Sequence, residues 1–489
     1  MVSFFVTHIS SILAVSHVLI SVGISIRVIM RRTATGVALA WLFLVSVFPF
    51  GGAVMYLMLG ERRISATRVR RISTRQTDYE KLVERGIARG LADVDWSRHR
   101  PAARAMNILG KTTVGVPTVH GSSGKLFSKT DQILDGITAD IENAQNSILM
   151  EFYIWNEGGK ADEVLDAVIR AAQRGVSCRI LIDALGGARW WRSRQPQKLR
   201  EAGVEVCQAL PVGILRNLID RTDLRVHRKI VVIDSKIAWT GSMNLVDPKF
   251  FKQEKNLGEW VDAMVRLEGA VVAPLALTMI GDWTTETGES LDDIVPNLRL
   301  DRITASGPAD IQVVPSGPGE TKDGLLQMLI ATINSAEKEL VLTTPYFVPD
   351  ESILCALRAA AARGVRVDLI VPEKVDSILT RFAGRSYYDD LMEVGANIYL
   401  YKKGLLHTKS ISSDRDISMI GTVNLDMRSL WINYEVALFI YDENFGKSLF
   451  DLQQSYIRDS DLLEPEQWAG RSALRKFLEN TFRLVSLIL

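Results

Sequence analysis

Two long apolar stretches, followed by short apolar runs alternating with amphipathic segments, partition this chain of 489 residues. Residues 4–26 carry no charged side chain, and neither do residues 33–60. Each stretch exceeds the roughly 20 residues a helix needs to cross a hydrocarbon core of about 30 Å. Pro49, Gly51 and Gly52 interrupt the second stretch, which membrane helices tolerate where neighbours re-satisfy the backbone. The pattern predicts a transmembrane hairpin over residues 1–60, with spans at about 4–26 and 34–59. A cleaved secretory signal would begin with positive charge, and Met1-Val-Ser-Phe-Phe has none. Arg27, Arg31 and Arg32 lie in the turn, whereas Arg62, Arg63, Arg68, Arg70, Arg71 and Arg75 follow the second stretch. The larger cluster is expected to stay cytoplasmic, which puts both termini and everything after the hairpin on that side.

Residues 61–105 read as a basic juxtamembrane linker, with a solvated face as the default and attraction to anionic headgroups as a second role. Beyond it two α/β halves can be laid over each other, at 106–297 and 298–489. In the first, strand-like runs at 148–154 and 178–182 flank a helical stretch near 161–174. In the second, runs at 340–344 and 366–371 flank a helical stretch near 351–363. Each half continues with a helix ending in glycine, Leu199-Arg-Glu-Ala-Gly203 and Leu391-Met-Glu-Val-Gly395. Short apolar runs alternating with amphipathic helices imply a sheet covered on both faces. The chain closes on a helix with one apolar stripe, Leu474, Phe477, Leu478, Val485 and Ile488. Such a stripe is expected to pack on its own domain, with the membrane surface as the lesser reading.

A hydrophobic content of 47% is enough for sizeable cores, and the net charge of +1 offers no general attraction for nucleic acid. Cys178, Cys207 and Cys355 form no ligand pattern, so neither a structural disulfide nor a cysteine-bound metal is expected.

The chemistry lies in a motif written twice. His227, Lys229, Asp234, Gly241, Ser242 and Asn244 recur at identical offsets as His407, Lys409, Asp414, Gly421, Thr422 and Asn424. The chain has six histidines, and two occupy these equivalent places. His and Lys at i and i+2 of a strand share a face. Each second strand then delivers a glycine, a hydroxyl and an amide, and the glycine permits close backbone approach to a ligand. Several hydrogen-bond donors around one fixed cation suit a phosphate better than a carbonyl or a metal. The recurrence predicts one active site built from two halves.

With both copies of H-x-K-x4-D and G-[ST]-x-N intact, the chain resembles the phospholipase D superfamily. Glu151-Phe-Tyr153-Ile-Trp155, Gly258-Glu-Trp260-Val-Asp262, Thr344-Pro345-Tyr346-Phe347-Val-Pro349 and the Pro315-Ser-Gly317-Pro318-Gly319 junction are similar to bacterial cardiolipin synthases. The resemblance implies an α/β fold of two tandem phospholipase D-like domains, mixed sheets flanked by helices and related by a pseudo-twofold, behind the membrane hairpin. It also implies a multi-pass protein of the bacterial cytoplasmic membrane. The reaction it implies is cofactor-free and metal-free phosphatidyl transfer between two phosphatidylglycerol molecules, through a phosphohistidine, giving cardiolipin and glycerol. The alternatives are phospholipase D-type hydrolysis or transfer to another alcohol; nucleic acid is not an expected partner. His227 and His407 would be nucleophile and acid–base, with His227 attacking by analogy, and Lys229, Lys409, Asn244 and Asn424 would hold phosphate oxygens. Ser242 and Thr422 would assist, and Asp234 and Asp414 would support the motifs. Glu435 and Glu259 are the expected carboxylates that orient the imidazoles. Arg189-Trp190-Trp191-Arg192-Ser-Arg194 reads as a packed loop, a substrate-channel wall or a headgroup contact.

Overall fold

The computed structural model describes residues 2–31, 35–60, 66–213, 223–252, 257–319 and 323–484. They fall into two compact units, one reaching to Ala66 with short pieces at 212–213 and 223, the other holding the rest.

In the first unit Val2–Met30 is one uninterrupted helix. Its Ser11–Met30 portion has a mean hydropathy of 2.1 and is, among the described residues, the one helix long and apolar enough to cross a membrane. The second expected span is not a single helix. It breaks into Thr35–Val47, Pro49–Met55 and the π-helical turn Tyr56–Gly60. Phe48 leaves helical geometry at φ −128°, because Pro49 supplies no N–H and restricts the residue before it. The pieces still pack: Val28, Val45 and Tyr56 are buried together, and the Trp41 and Tyr56 rings meet edge-on at 5.4 Å. Arg32, Arg62 and Arg63 of the expected charge clusters lie outside the described residues.

In the second unit one mixed sheet of fifteen strands runs through both halves. From one edge the first half contributes Glu205–Ala209, Ser177–Asp183, Ser147–Phe152, Ile230–Ile233, Ile237–Gly241, Met264–Gly269 and Val119–Phe127. The second half follows in mirrored order with Ala309–Ser316, Glu435–Tyr441, Ile417–Gly421, Ser410–Ser413, Glu339–Thr343, Arg366–Pro372 and Asn397–Tyr401, and Ser460–Leu462 adds an edge. The halves join where Val119–Phe127 pairs antiparallel with Ala309–Ser316. The two sheets implied by the sequence are therefore one, folded about a pseudo-twofold at that seam. The outer strands of each half pair in parallel apart from the antiparallel edge Ser460–Leu462, and both faces are covered, so Ser147–Phe152 is buried along its whole length. Thr130–Glu142 and Lys160–Gln173 cover one face of the first half, and Val272–Thr287 covers the other.

Much of the basic linker is structure rather than solvated surface. The helix Ala66–Ala88 places Arg68 on Glu286 at 2.7 Å and Arg71 on the carbonyls of Thr285 and Glu286 at 2.9 Å, at the C-terminal end of Val272–Thr287. Unpaired carbonyls and the negative end of a helix dipole are where guanidinium groups bind well. Arg89 caps the carbonyl of Ile303, and Arg100 pairs with Asp414 and Asp416.

Candidate active site

The two motifs meet crosswise at the seam. His227 Nδ1 lies 2.9 Å from Glu435 Oε2, and His407 Nδ1 lies 2.7 Å from Asp262 Oδ1. Each imidazole is thus held by a carboxylate from the opposite half. The backbone repeats the crossing: His227 N–H donates to Tyr434 O at 2.9 Å, and His407 N–H donates to Val261 O at 2.8 Å. In both cases the accepting carbonyl belongs to the residue just before the carboxylate.

Glu435 therefore occupies its expected place and Glu259 does not. Glu259 is exposed, and its contribution is a main-chain carbonyl that accepts from Leu405 N–H at 3.0 Å. The short strand Trp260–Val261 pairs with Leu405–Leu406 and puts the next residue, Asp262, at the imidazole. Counting from Asn244 misleads because the loop after it is longer than the one after Asn424. Aligning the strands that follow, Met264–Gly269 and Glu435–Tyr441, would have found Asp262.

The motif hydroxyls serve those carboxylates. Ser242 Oγ donates to Asp262 and Thr422 Oγ1 to Glu435, both at 2.5 Å. Each oxygen then accepts a backbone N–H, from Ala263 and Val436, at 3.0 Å. Their expected part in phosphate binding is thus replaced by orientation of the acid. The adjoining glycines make the approach possible: a Cβ on Gly241 would stand 2.4 Å from Ala263 O, and on Gly421 2.3 Å from Val436 O. The close approach the glycines permit is to the neighbouring strand, not to a ligand.

Asp234 and Asp414 stand at the far ends of their strands. At about 3.3 Å per residue, seven residues place each some 20 Å from its histidine. Asp234 accepts from the amides of Gln145, Asn146 and Ser147, and Asp414 from those of Glu337, Lys338 and Glu339. They tie the preceding helix–strand junction to the turn and are not catalytic residues.

Both lysines are fully buried and fold back, Lys229 Nζ to His227 O at 2.7 Å and Lys409 Nζ to His407 O at 2.6 Å. Asn244 Oδ1 accepts Ile154 N–H at 3.3 Å, which leaves its amide N–H groups to offer an anion. The Tyr153 ring meets His227 at 5.0 Å, and Trp260 meets His407 at 4.5 Å. His227 is 8% exposed and His407 3%. Burial pushes both imidazoles down to about 4, assisted by the two lysines and opposed by the carboxylates. Burial likewise depresses Lys229 to about 8 and Lys409 to about 7. For Glu435 and Asp262 burial acts upward, but the imidazole and lysine partners outweigh it and hold both below the ordinary carboxylate range. The free site thus favours neutral imidazoles and ionised carboxylates, beside two lysines whose charge is easily lost.

Two supporting groups escaped the sequence. Arg228, between the motif His and Lys, turns to the opposite face of the sheet, where it binds Asp282, Glu435 O at 3.0 Å and Ser316 O at 3.0 Å. Its counterpart Thr408 makes a lighter contact, to Val261 O at 3.3 Å and Tyr456 Oη at 3.1 Å. Asp183 accepts Val226 N–H at 3.0 Å and anchors the segment that enters the site. The tryptophan pair is a packed loop: Trp190 is buried and stacked on Trp155 at 5.1 Å, while Trp191 Nε1 donates to Asp183 O at 3.2 Å.

Comparison with known proteins agrees with this geometry. The family model described as "Cardiolipin synthase, PLD-like domain" matches residues 137–264 and 329–456, and "Phospholipase_D-nuclease N-terminal" matches residues 19–61. Cardiolipin synthase A of Erwinia tasmaniensis is 40% identical over 491 residues, covering 99% of each chain. That of Pectobacterium atrosepticum is 40% identical over 487 residues and 100% of each. Among solved structures, the phosphatidylserine synthase of Haemophilus influenzae Rd KW20 matches with a TM-score of 0.58 at 16% identity, over 80% of this chain and 100% of that one. The last likeness is one of fold.

Proposed function

This chain belongs to the cardiolipin synthase family of phospholipase D-like proteins, and on that premise we propose that it is a cardiolipin synthase working by two phosphatidyl transfers at one site. The observation that carries the reading is the crosswise pairing of His227 with Glu435 and His407 with Asp262. With Nδ1 of each ring occupied, each histidine has Nε2 left for chemistry.

Phosphatidylglycerol is donor and acceptor. Nε2 of His227 attacks phosphorus, and the phosphorus–oxygen bond to the headgroup glycerol breaks. His407, protonated, gives its proton to the departing alkoxide, and free glycerol leaves. His407 then takes the proton from the glycerol hydroxyl of a second phosphatidylglycerol. That oxygen displaces His227 from phosphorus, and cardiolipin forms. Phosphodiester is exchanged for phosphodiester, so the reaction is reversible and consumes no nucleotide. Lys229, Lys409, Asn244 and Asn424 hold the non-bridging oxygens. We assign the attack to His227 by analogy with the family; of the two buried rings it is the slightly more exposed.

The neutral resting imidazoles set a requirement. Attack needs one neutral ring, yet departure needs the other protonated. The phosphodiester brings a negative charge that offsets the lysines, so substrate binding raises His407 and draws in a proton. The protein lies in the bacterial cytoplasmic membrane as a multi-pass protein with its catalytic unit on the cytoplasmic side, a reading supported by the apolar N-terminus and the arginines after it.

The test is direct. Purified protein given phosphatidylglycerol alone, with a chelator of divalent metals, should form cardiolipin and free glycerol in equal amounts. Phosphatidic acid as the sole lipid product would make it a hydrolase instead.

A further inference from the structure

The helices Ile378–Ser386 and Ala473–Leu484 lie against each other. Arg385 pairs with Glu479 at 3.0 Å and Phe382 meets Phe482 at 5.4 Å, so the two run antiparallel. The second helix is turned the opposite way from the sequence expectation. Glu479 is 1% exposed and held by Arg385, Arg471 and Arg475. Leu474 is 68%, Phe477 67% and Leu484 80% exposed. Spaced i, i+3 and i+10 with Leu478 beside them, they form one outward stripe. Ile378, 72% exposed, and Leu379 extend the patch from the first helix near the Leu484 end. Val485 and Ile488 of the expected stripe lie outside the described residues.

The surroundings choose the occupant. The two helices and the turns bounding them, 378–390 and 471–484, carry six cations against three carboxylates. Asp389, Asp390 and Glu479 are each spent on an arginine. Among the described residues Arg381 and Lys476 pair with no carboxylate, although Lys476 Nζ donates to Ala469 O at 2.9 Å. An apolar stripe on helices with this excess of cations matches an anionic lipid surface better than a second protein. A relay of side-chain contacts also links the patch to the active site. Two residues before Ile378, Asp376 pairs with Lys252 at 3.0 Å and accepts the Tyr346 hydroxyl. Lys252 Nζ stands 5.0 Å from the Trp260 ring, which packs on His407.

We propose that Leu474, Phe477, Leu478, Leu484, Ile378 and Leu379 form a docking surface for an anionic bilayer, which holds this half of the catalytic unit against the lipid headgroups.

The full chain in nanodiscs of phosphatidylethanolamine and phosphatidylglycerol tests this, with an environment-sensitive dye on Phe477→Cys in a background carrying Cys207→Ser and Cys355→Ser. The control dye sits on the native, exposed Cys355. Bromine on the acyl chains should cut the dye signal at 477 by about twofold or more and leave that at 355 unchanged, as expected for a side chain at the headgroup–acyl boundary. A dye at 477 that stays in water, or is shielded without bromolipid quenching, overturns the proposal; the second result assigns the face to a protein. As a second measurement, Leu474→Asp with Phe477→Asp should raise KM for vesicle phosphatidylglycerol by about fivefold or more at unchanged kcat. An unmoved KM also counts against the surface. Quenching without cardiolipin formation would keep the surface and remove the synthase reading.

Discussion

The two half-sites share every motif position and the same crosswise hydrogen-bond scheme, and differ in the residues that complete it. His227 has a glutamate thirteen residues beyond the motif hydroxyl, whereas His407 has an aspartate twenty residues beyond it. Beneath the first lies Arg228, buried with Asp282; beneath the second lies Thr408. Tyr153 flanks one ring and Trp260 the other. Duplication conserves the reacting groups and the strand register, and the supporting shell drifts. That drift gives two identical imidazoles unequal surroundings, which the proposed division of roles requires.

The largest effects are expected at the histidines themselves. His227→Ala and His407→Ala should each lower kcat by about 10⁴-fold, and the double variant should be no worse, because the pair acts as a unit. Turnover near wild type in either variant would dissolve the single site.

The carboxylates separate the structural reading from the sequence reading. Asp262→Asn and Glu435→Gln should each cost about 10²-fold or more in kcat, by loss of imidazole orientation. Glu259→Gln should leave kcat within about twofold, as a surface charge does. The reverse ranking of Asp262 and Glu259 would reject the crossing as drawn.

Arg228 against Thr408 tests the shell by stability. Arg228→Met removes the guanidinium that neutralises the buried Asp282 and should cost about 3–5 kcal/mol in urea unfolding. Thr408→Val removes two modest hydrogen bonds and should cost about 1–2 kcal/mol. Equal costs would mean that the two sides are supported alike.

The smallest effect is in pH dependence. Because a proton is taken up with the substrate, kcat/KM should already decline above pH about 4 and should fall more steeply above about 7 to 8, where Lys409 and Lys229 lose charge. Imidazoles depressed to about 4 stay neutral in the free enzyme down to that pH, so the acid limb should lie well below the 6.5 of an ordinary histidine. A pH–rate profile with an acid limb near 6.5 and no alkaline limb below 9 would contradict this.

What the sequence made legible was what recurs along one chain. The strands at Ser147–Phe152 and Glu339–Thr343, the helices after them and the two motifs follow from periodicity and repetition. Contacts that cross between the halves carry no signal of spacing. Hence Asp262 was missed, Ser242 and Thr422 were aimed at phosphate, and two sheets were expected where one runs through. The break at Phe48 and Pro49 and the outward stripe at Leu474 and Phe477 were hidden for another reason. Hydrophobic pattern reports which residues avoid water, not whether protein or lipid provides the refuge.

The central claim is one site with one nucleophile, and phosphatidyl-p-nitrophenol tests it most directly, since its leaving group needs no acid. His407→Ala should release one nitrophenol per chain in a burst and then stall, with the phosphatidyl group trapped on His227, while His227→Ala should give no burst. A burst from His227→Ala with label on His407, or two equivalents per chain in the wild type, would contradict it.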